Sequence, residues 1–392
     1  MPWQGVSLVE RRMEFITEHL AGSESLTALA QHYGISRKTA YYWLRRFHTD
    51  GVARLAGASR RPHCSPAATD AAVIAQLVAA RQRHPTWGAG KLRAWLQRRA
   101  PTAAWPCRDT IHTVLVRQGL VRRRRRAGRI HPARGPLTIP TAPNEVWTVD
   151  FKGQFRTGNG VLCYPLTLRD GFSRYVVRCQ GLPSVRTADT QPQFLRAFAA
   201  YGLPQCIRSD NGAPFASVGL AGLSQLAVWW IRLGIRPERI PPGCPGQNGA
   251  HEQFHRILKA ETARPPAATA AAQQRRFQRF VAEYNAERPH EAVGQQPPGS
   301  VYTPSPRPLP PRLPPLEYAP TAEVRRIDVN GQFKWRQRRY FLTHALVGQD
   351  IALEPLTDTR WLLRFATVPL AVFDERRGRL DTADQLLPMS SD

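Results

Sequence analysis

Helical spacing of apolar residues opens the chain. Over residues 23–47, Leu26, Leu29, Ala30 and Tyr33 recur on one face, Gly34 breaks the run, and Ser36 stands where it can cap a second helix. That second helix has an inner Ala40 and Leu44 and carries Arg37, Lys38, Thr39, Tyr41 and Arg45 around them. The pattern predicts a helix-turn-helix domain over residues 1–55, its second helix suited to the major groove. A plain helical hairpin with a solvated basic face is the other reading. A second helix-turn-helix-like unit is expected over residues 65–128. Its apolar stripe (Val73, Ile74, Leu77, Val78) leads to His84–Gly88, Lys91–Leu96 and Arg108–Leu115, with a stop at Gly119. Trp87 and Trp95 fit a core. Arg108 and Thr110, early in the third helix, are candidate DNA contacts.

Between 143 and 296 the period changes to strands followed by helices, an α/β pattern. Val161–Leu168 and Arg174–Cys179 flank Asp170-Gly171, a hairpin signal. Thr190–Tyr201 is helical and stops at Gly202 and Pro204; Leu220–Leu233 is a further helix whose Trp229-Trp230 pair fits a core. Residues 297–320 carry ten prolines and predict an extended linker. Over 321–380, Val324–Val329 and Gln332–Leu342 flank Asn330-Gly331, a second hairpin signal. Further β-runs at Ile351–Leu353, Trp361–Phe365 and Leu370–Phe373 suggest a small β-barrel. Arg325, Arg326, Lys334, Arg336, Arg338 and Arg339 make it basic, for docking or for another DNA contact. The fold class is therefore multidomain: N-terminal all-α helix-turn-helix units, a central α/β core and a C-terminal small β-barrel.

Charge narrows the partner. Among 392 residues, 55 Lys and Arg outweigh 29 Asp and Glu for a net charge of +26, a field that favours a polyanion. Arg122, Arg123, Arg124, Arg125 and Arg126 fall between the second helical unit and the α/β core, where they can track phosphates. No run of about 18 apolar residues exists, so no membrane span is expected. The opening Met-Pro-Trp-Gln-Gly lacks a basic region followed by an apolar stretch, so no signal peptide is expected. Six scattered cysteines, never in Cys-x-x-Cys, fit buried reduced thiols in a cytoplasmic protein.

Against this basic background three carboxylates stand out. Asp150 lies in the strand-like run Glu145–Lys152, Asp210 closes the apolar run from Cys206, and Glu252 lies on a helix expected after Pro245-Gly-Gln-Asn-Gly249. They are 60 and 42 residues apart. Like charges brought together are costly unless cations neutralise them. Mg²⁺ does so with oxygen ligands, and two such ions can clamp the attacking and leaving oxygens of a phosphoryl displacement. Asn248 and Glu252 are four apart and share one face if the helix already includes 248, and His255, Arg256 and Lys259 continue near it as candidate holders of backbone phosphates. Asp170 fits a turn and Asp189 a helix start. His251-Glu-Gln-Phe-His255 also matches the H-E-x-x-H zinc protease pattern. The turn residues before it place His251 in the first helical turn, and Leu258 and Glu261 stand where the longer zinc signature needs Gly and His.

Trp147-Thr-Val-Asp150, Asp170-Gly-Phe-Ser-Arg174, Ser209-Asp-Asn-Gly212 and Pro245-Gly-Gln-Asn-Gly-Ala-His-Glu252 resemble the integrase core of bacterial DDE transposases. Tyr284-Asn-Ala-Glu-Arg-Pro-His-Glu291 is similar to the segment that follows that core. The resemblance implies a ribonuclease H-like central domain in an insertion-sequence transposase. It implies Asp150, Asp210 and Glu252 as the catalytic and metal-binding triad, with two Mg²⁺ ions per active site and Mn²⁺ as a substitute. The implied partner is double-stranded DNA, both element terminal repeats and target, bound by a homo-oligomer in the bacterial cytoplasm at the nucleoid. The implied reaction is hydrolytic nicking followed by strand transfer. An inactive DNA-binding regulator or transposase relic is the alternative. The stretch before Glu252 is longer than in many integrase-like enzymes, and Gly246 follows Pro245 where relatives often have Gln; both departures leave the triad intact.

Overall fold

The computed structural model describes residues 7–56, 68–121, 137–217, 222–240 and 249–382. The chain divides into two compact units, Met1–Asp70 and Ala71–Asp392. The first holds α1 (Leu8–Leu20), α2 (Leu26–His32) and α3 (Arg37–Asp50). Ser25 and Ser36 cap α2 and α3 by accepting from Ala28 N–H and Thr39 N–H, and Gly34 supplies the left-handed turn between them at φ +66°. Phe15, Ile16, Leu29, Ala30, Ala40, Leu44 and Leu55 close the core. The apolar spacing over 23–47 does not reach α1. The signal for that helix is a capping box in which Ser7 Oγ accepts from Glu10 N–H at 3.1 Å and Glu10 Oε2 accepts from Ser7 N–H at 2.6 Å.

The second unit begins with α4 (Ala71–Arg83), α5 (Ala89–Arg99) and α6 (Arg108–Arg117), packed around Leu77, Trp87, Leu92, Trp95, Ile111 and Leu115. Next comes an α/β layer of β1 (Val146–Phe151), β2 (Phe155–Arg156), β3 (Leu162–Asp170), β4 (Val176–Leu182), β5 (Cys206–Ser209) and β6 (Arg236–Arg239). The sheet runs β4-β3-β1-β5-β6, with short β2 on β3. β1, β3 and β4 are antiparallel, whereas β5 and β6 run parallel to β1. Four helices flank it: α7 (Thr187–Tyr201), α8 (Gln225–Arg232), α9 (Gly249–Thr262) and α10 (Ala270–Ala286). Alternation along the strands divides the side chains. Trp147, Val149, Leu166 and Leu168 join Phe194, Phe198, Leu226 and Trp230 of α7 and α8 in one core. On the other side, Cys163, Val176 and Cys179 meet Phe254 and Leu258 of α9 and Phe277, Phe280 and Tyr284 of α10.

The expected turn at Asp170-Gly171 joins β3 to β4. The buried Asp170 carboxylate accepts from Asn144 N–H (2.7 Å), Ser173 N–H (2.7 Å) and the Ser173 hydroxyl (2.6 Å). Asp189 lies in the first turn of α7 and accepts from the Ser184 hydroxyl at 2.6 Å. The helical unit α4–α6 docks on the α/β layer through polar contacts. Trp95 Nε1 donates to Glu287 at 3.1 Å, Arg98 to the Gln295 and Glu287 carbonyls, and Lys91 to the Pro289 carbonyl. Beneath them the buried Arg288 pairs with Glu261 at 3.1 Å, and both reach Thr86. His84 stacks on Trp87 and lies 2.9 Å from Glu283.

The proline-rich segment 297–320 opens with a 3-10 turn at Pro298–Ser300 and has no further helix or strand, and it is fastened to the layer. Tyr302 stacks on Tyr175 at 4.2 Å and donates to Asn144 Oδ1, and Arg307 donates to the Pro204 carbonyl. Beyond it lie β7 (Glu323–Arg326), β8 (Gln332–Trp335), β9 (Arg338–Phe341), β10 (Asp350–Thr357), β11 (Arg360–Phe365), β12 (Val368–Asp374) and β13 (Arg379–Thr382). They form a five-stranded sheet, β13-β12-β11-β10-β7, and a separate β8-β9 ribbon. Phe333, Trp335 and Tyr340 of the ribbon pack on Phe373. Among the described residues no ladder closes these strands into a barrel. Asn330-Gly331 does not make the expected hairpin either. β7 pairs with β10, and β8 turns back on β9 at Arg336 (φ +51°). Asp328 Oδ1 instead folds Asn330-Gly331 into a corner by accepting from Asn330 and Gln332 N–H.

Candidate active site

The strand alternation that buries Trp147 and Val149 turns Thr148 and Asp150 of β1 the other way, toward α9. In the antiparallel register Asp150 faces Thr167 and Thr148 faces Arg169, so four polar side chains form one patch beneath the first turns of α9. Two histidines one helical turn apart enter it. His251 is 1% exposed, with Nδ1 3.1 Å from the Thr148 hydroxyl and Nε2 2.7 Å from the Thr167 hydroxyl. His255 is 5% exposed; its Nε2 is 2.8 Å from the same Thr167 hydroxyl and its Nδ1 is 3.7 Å from Asp150 Oδ2. Thr167 also donates to the Asp150 carbonyl at 3.0 Å. Burial drives the His255 pKa down to about 3, helped by positive charge on Lys152 and Arg169, so the ring is neutral. Burial also carries His251 well below its ordinary value, with His255 and Arg169 adding to the effect. Arg169 is anchored by donating to the Ala250 carbonyl at 3.0 Å and lies over the Phe254 ring.

Asp210 reaches the site from the parallel side. β1 and β5 pair with Thr148 opposite Arg208, an offset of 60 residues that, carried two residues on, sets Asp210, just past the end of β5, level with Asp150 near the end of β1. The buried Arg208–Glu238 pair (2.6 Å) and Asn211 Nδ2 donating to the Ile240 carbonyl (2.7 Å) hold this end of β5 against β6 and the residue beyond it. Asp210 Oδ1 accepts from Gly212 N–H at 3.1 Å. Glu252 lies in the first turn of α9, where an acidic side chain suits the helix dipole, and is exposed.

The other candidate residues divide by exposure. Arg256 and Lys259 are exposed on α9, whereas His255 is turned inward and is not beside them at the surface. The reason is the buried stripe His251–Phe254–His255–Leu258–Thr262, which faces inward. Arg37, Lys38, Tyr41 and Arg45 are exposed on α3 with Thr39 half-buried; Arg108 is exposed and Thr110 half-buried at the start of α6. Arg122–Arg126 and Asn248 lie outside the described residues. Among the described residues, Asp150, His251 and His255 form the one group of three metal-ligating side chains whose atoms lie within 4.8 Å of one another; the three triad carboxylates do not. A zinc protease site does not fit, because both His251 nitrogens are engaged by threonines while Glu252 faces solvent. The Asp150 carboxylate beside the neutral His255 imidazole does fit as a donor pair for a divalent ion. Sequence reasoning passed over Thr148, Thr167 and Arg169. Strand alternation marks all three as facing the same way as Asp150.

Known protein families match several parts of the chain. Integrase core domain profiles match residues 140–245 and 233–298, a helix-turn-helix domain profile matches 11–63, and a homeodomain-like profile matches 39–115. An insertion element IS476 protein of 39.2 kDa from Xanthomonas euvesicatoria is 30% identical over 251 residues, 62% of this chain and 69% of that protein. An insertion element IS407 protein of 31.7 kDa from Burkholderia multivorans is 29% identical over 252 residues, 61% of this chain and 85% of that protein. Among solved structures, a simian T-cell lymphotropic virus intasome in complex with PP2A regulatory subunit B56 gamma aligns over 75% of this chain and 98% of its own, at 20% identity and a TM-score of 0.37. A likeness at that score says nothing about function. With integrase core matches across the α/β layer and insertion-element relatives spanning most of their own length, the chain belongs to the bacterial insertion-sequence transposases, DDE-type enzymes built on an integrase core.

Proposed function

We propose that this transposase nicks DNA at the ends of its element and joins the freed 3′ ends to target DNA, with Asp150, Asp210 and Glu252 holding two Mg²⁺ ions. The observation that carries this reading is the level placement of Asp150 and Asp210 at the ends of adjacent parallel strands, the edge where α/β sheets gather ligands. Bound there, such ions would activate the attacking oxygen and stabilise the leaving one. The chain's own task is to fix the acids and the substrate. Thr167 holds the Asp150 backbone, the Arg208–Glu238 pair steadies the approach to Asp210, and Arg256 and Lys259, both exposed, would grip phosphates beside Glu252. Arg37, Lys38, Thr39, Tyr41 and Arg45 of α3 would read terminal-repeat bases and backbone, with Arg108, Thr110, the Arg122–Arg126 run and Asn248 as further contacts. The working state is a homo-oligomer on DNA.

The test uses labelled duplex DNA from the flanks of this protein's own gene. Wild type and Asp210→Asn are incubated with it in Mg²⁺ or Mn²⁺, and products are resolved on a denaturing gel. Nicks and longer joined strands from wild type alone are expected. Binding without product under both metals would replace this reading with that of an inactive regulator or relic.

A further inference from the structure

The two buried histidines use their nitrogens differently. Both His251 nitrogens meet threonine hydroxyls. His255 meets one through Nε2, while its Nδ1 makes no hydrogen bond among the described residues and faces Asp150 Oδ2 at 3.7 Å. Proton counting sharpens the contrast. Thr167 Oγ1 has one proton to share among the Asp150 carbonyl at 3.0 Å and the two Nε2 atoms, and giving it to the carbonyl, which can only accept, fixes one tautomer for both rings. In that tautomer both imidazoles donate to Thr167 through Nε2, and the Nδ1 lone pair of His255 faces the Asp150 carboxylate. Two acceptors set face to face repel unless a cation lies between them.

A metal-ligating histidine has this form: one ring nitrogen pinned by a hydrogen bond, the other aimed at the metal. Transition ions bind imidazole nitrogen and carboxylate oxygen at about 2.0–2.2 Å, so one ion can span the 3.7 Å gap. Mg²⁺ prefers oxygen donors throughout. We propose that His255 Nδ1 and the Asp150 carboxylate together ligate a borderline divalent cation of the Mn²⁺, Co²⁺ or Zn²⁺ class, which the protein therefore holds more tightly than Mg²⁺. The inference rests on the reading of Asp150 as a metal ligand and adds a nitrogen donor to it. It also narrows the cluster of three to two ligands, with His251 a positioning residue whose ring holds the threonines. Lys152 and Arg169 bring positive charge near the ring, which the Asp150 carboxylate has to offset.

The experiment is Mn²⁺ titration of the full-length protein followed by electron paramagnetic resonance, with Mg²⁺ as competitor and nitrogen coupling to bound Mn²⁺ as the readout. Wild type is expected to show a directly bound imidazole nitrogen and to prefer Mn²⁺ by about ten-fold or more. His255→Gln keeps an N–H for Thr167 but lacks Nδ1, and is expected to lose the coupling and about ten-fold or more in Mn²⁺ affinity. His251→Gln is expected to retain the coupling. Bound Mn²⁺ without nitrogen coupling in wild type, or coupling that survives in His255→Gln, overturns the proposal. If His255→Gln does not fold, the wild-type coupling together with its loss in Asp150→Asn decides the matter. Nicking in Mg²⁺ is scored separately. Nicks without nitrogen coupling leave the catalytic reading standing and remove His255; coupling without nicks does the reverse.

Discussion

His290 shows how a single ring can tie folding to pH. It lies in a cavity of about 400 Å³ with Lys91, Arg169 and Arg174, and its pKa is lowered to about 2, first by burial and then by those cations and Arg288. Unfolded, it titrates near 6.5. A folded value below the unfolded one means the unfolded chain binds the extra proton. His290 therefore supports the fold fully above about pH 6.5 and loses that support as pH falls toward 2. The slope is up to about 1.4 kcal/mol per pH unit for one such group. Urea unfolding at pH 7, 6 and 5 is expected to show stability falling with acid, and His290→Gln is expected to flatten the trend by about that amount. An unchanged slope would mean that His290 is protonated in the folded chain. Gly331 carries a constraint of another kind. At φ +74° it passes so close to Thr343 that an added Cβ would lie 2.9 Å from backbone atoms, which is why the Asn-Gly pair serves a corner and not a hairpin.

Elements were more legible than their assembly. The caps and apolar stripes of α2, α3 and α9 are local, and so is the turn between β3 and β4, so each could be read from neighbouring residues. The 60-residue spacing of Asp150 and Asp210 was visible as well, but only strand pairing converts it into a shared level. The polar patch under α9 joins Thr148, Thr167 and Arg169 from separate strands, so no window of sequence contains it. The docking of α5 was hidden for the same reason, since its partners Glu287, Pro289 and Gln295 lie far along the chain. The strength of that docking can be measured. Arg288 has a side chain 3% exposed and one carboxylate partner, Glu261. Removing one member of a buried pair strands the other and costs about 3–5 kcal/mol, less here because Glu261 is partly solvated. Glu261→Gln is expected to lower stability by about 2–3 kcal/mol and to speed hydrogen exchange in α4 and α5. Unaltered exchange would show that Lys91, Trp95 and Arg98 suffice to hold the helices down.

Across the whole molecule the charge of +26 is unevenly available. In the C-terminal sheet and ribbon, Arg325, Arg326, Arg336, Arg339, Arg364 and Arg379 each have an acidic partner within 4.0 Å. On α3, Arg37, Lys38 and Arg45 have no acidic partner among the described residues. Each phosphate neutralised adds about 0.9 to the slope of log affinity against log salt. Replacing Arg37, Lys38 and Arg45 with Ala is therefore expected to lower that slope by about two to three. Replacing Arg325, Arg326 and Arg339 is expected to change it by less than about one. Fluorescence anisotropy on duplex DNA from 50 to 200 mM salt measures both, and equal losses would show that the C-terminal segment grips DNA despite its ion pairs. The clasp between α5 and the end of α10 has a consequence for genetics. With the DNA contacts and acids proposed above, it makes α6 and the strand ends carrying Asp150 and Asp210 two jaws of one calliper. A sequence gripped at one jaw presents a fixed bond to the other. One base pair added between them would swing that bond about a tenth of a turn around the double helix, so element ends of altered spacing should be dead substrates even with every recognised base intact.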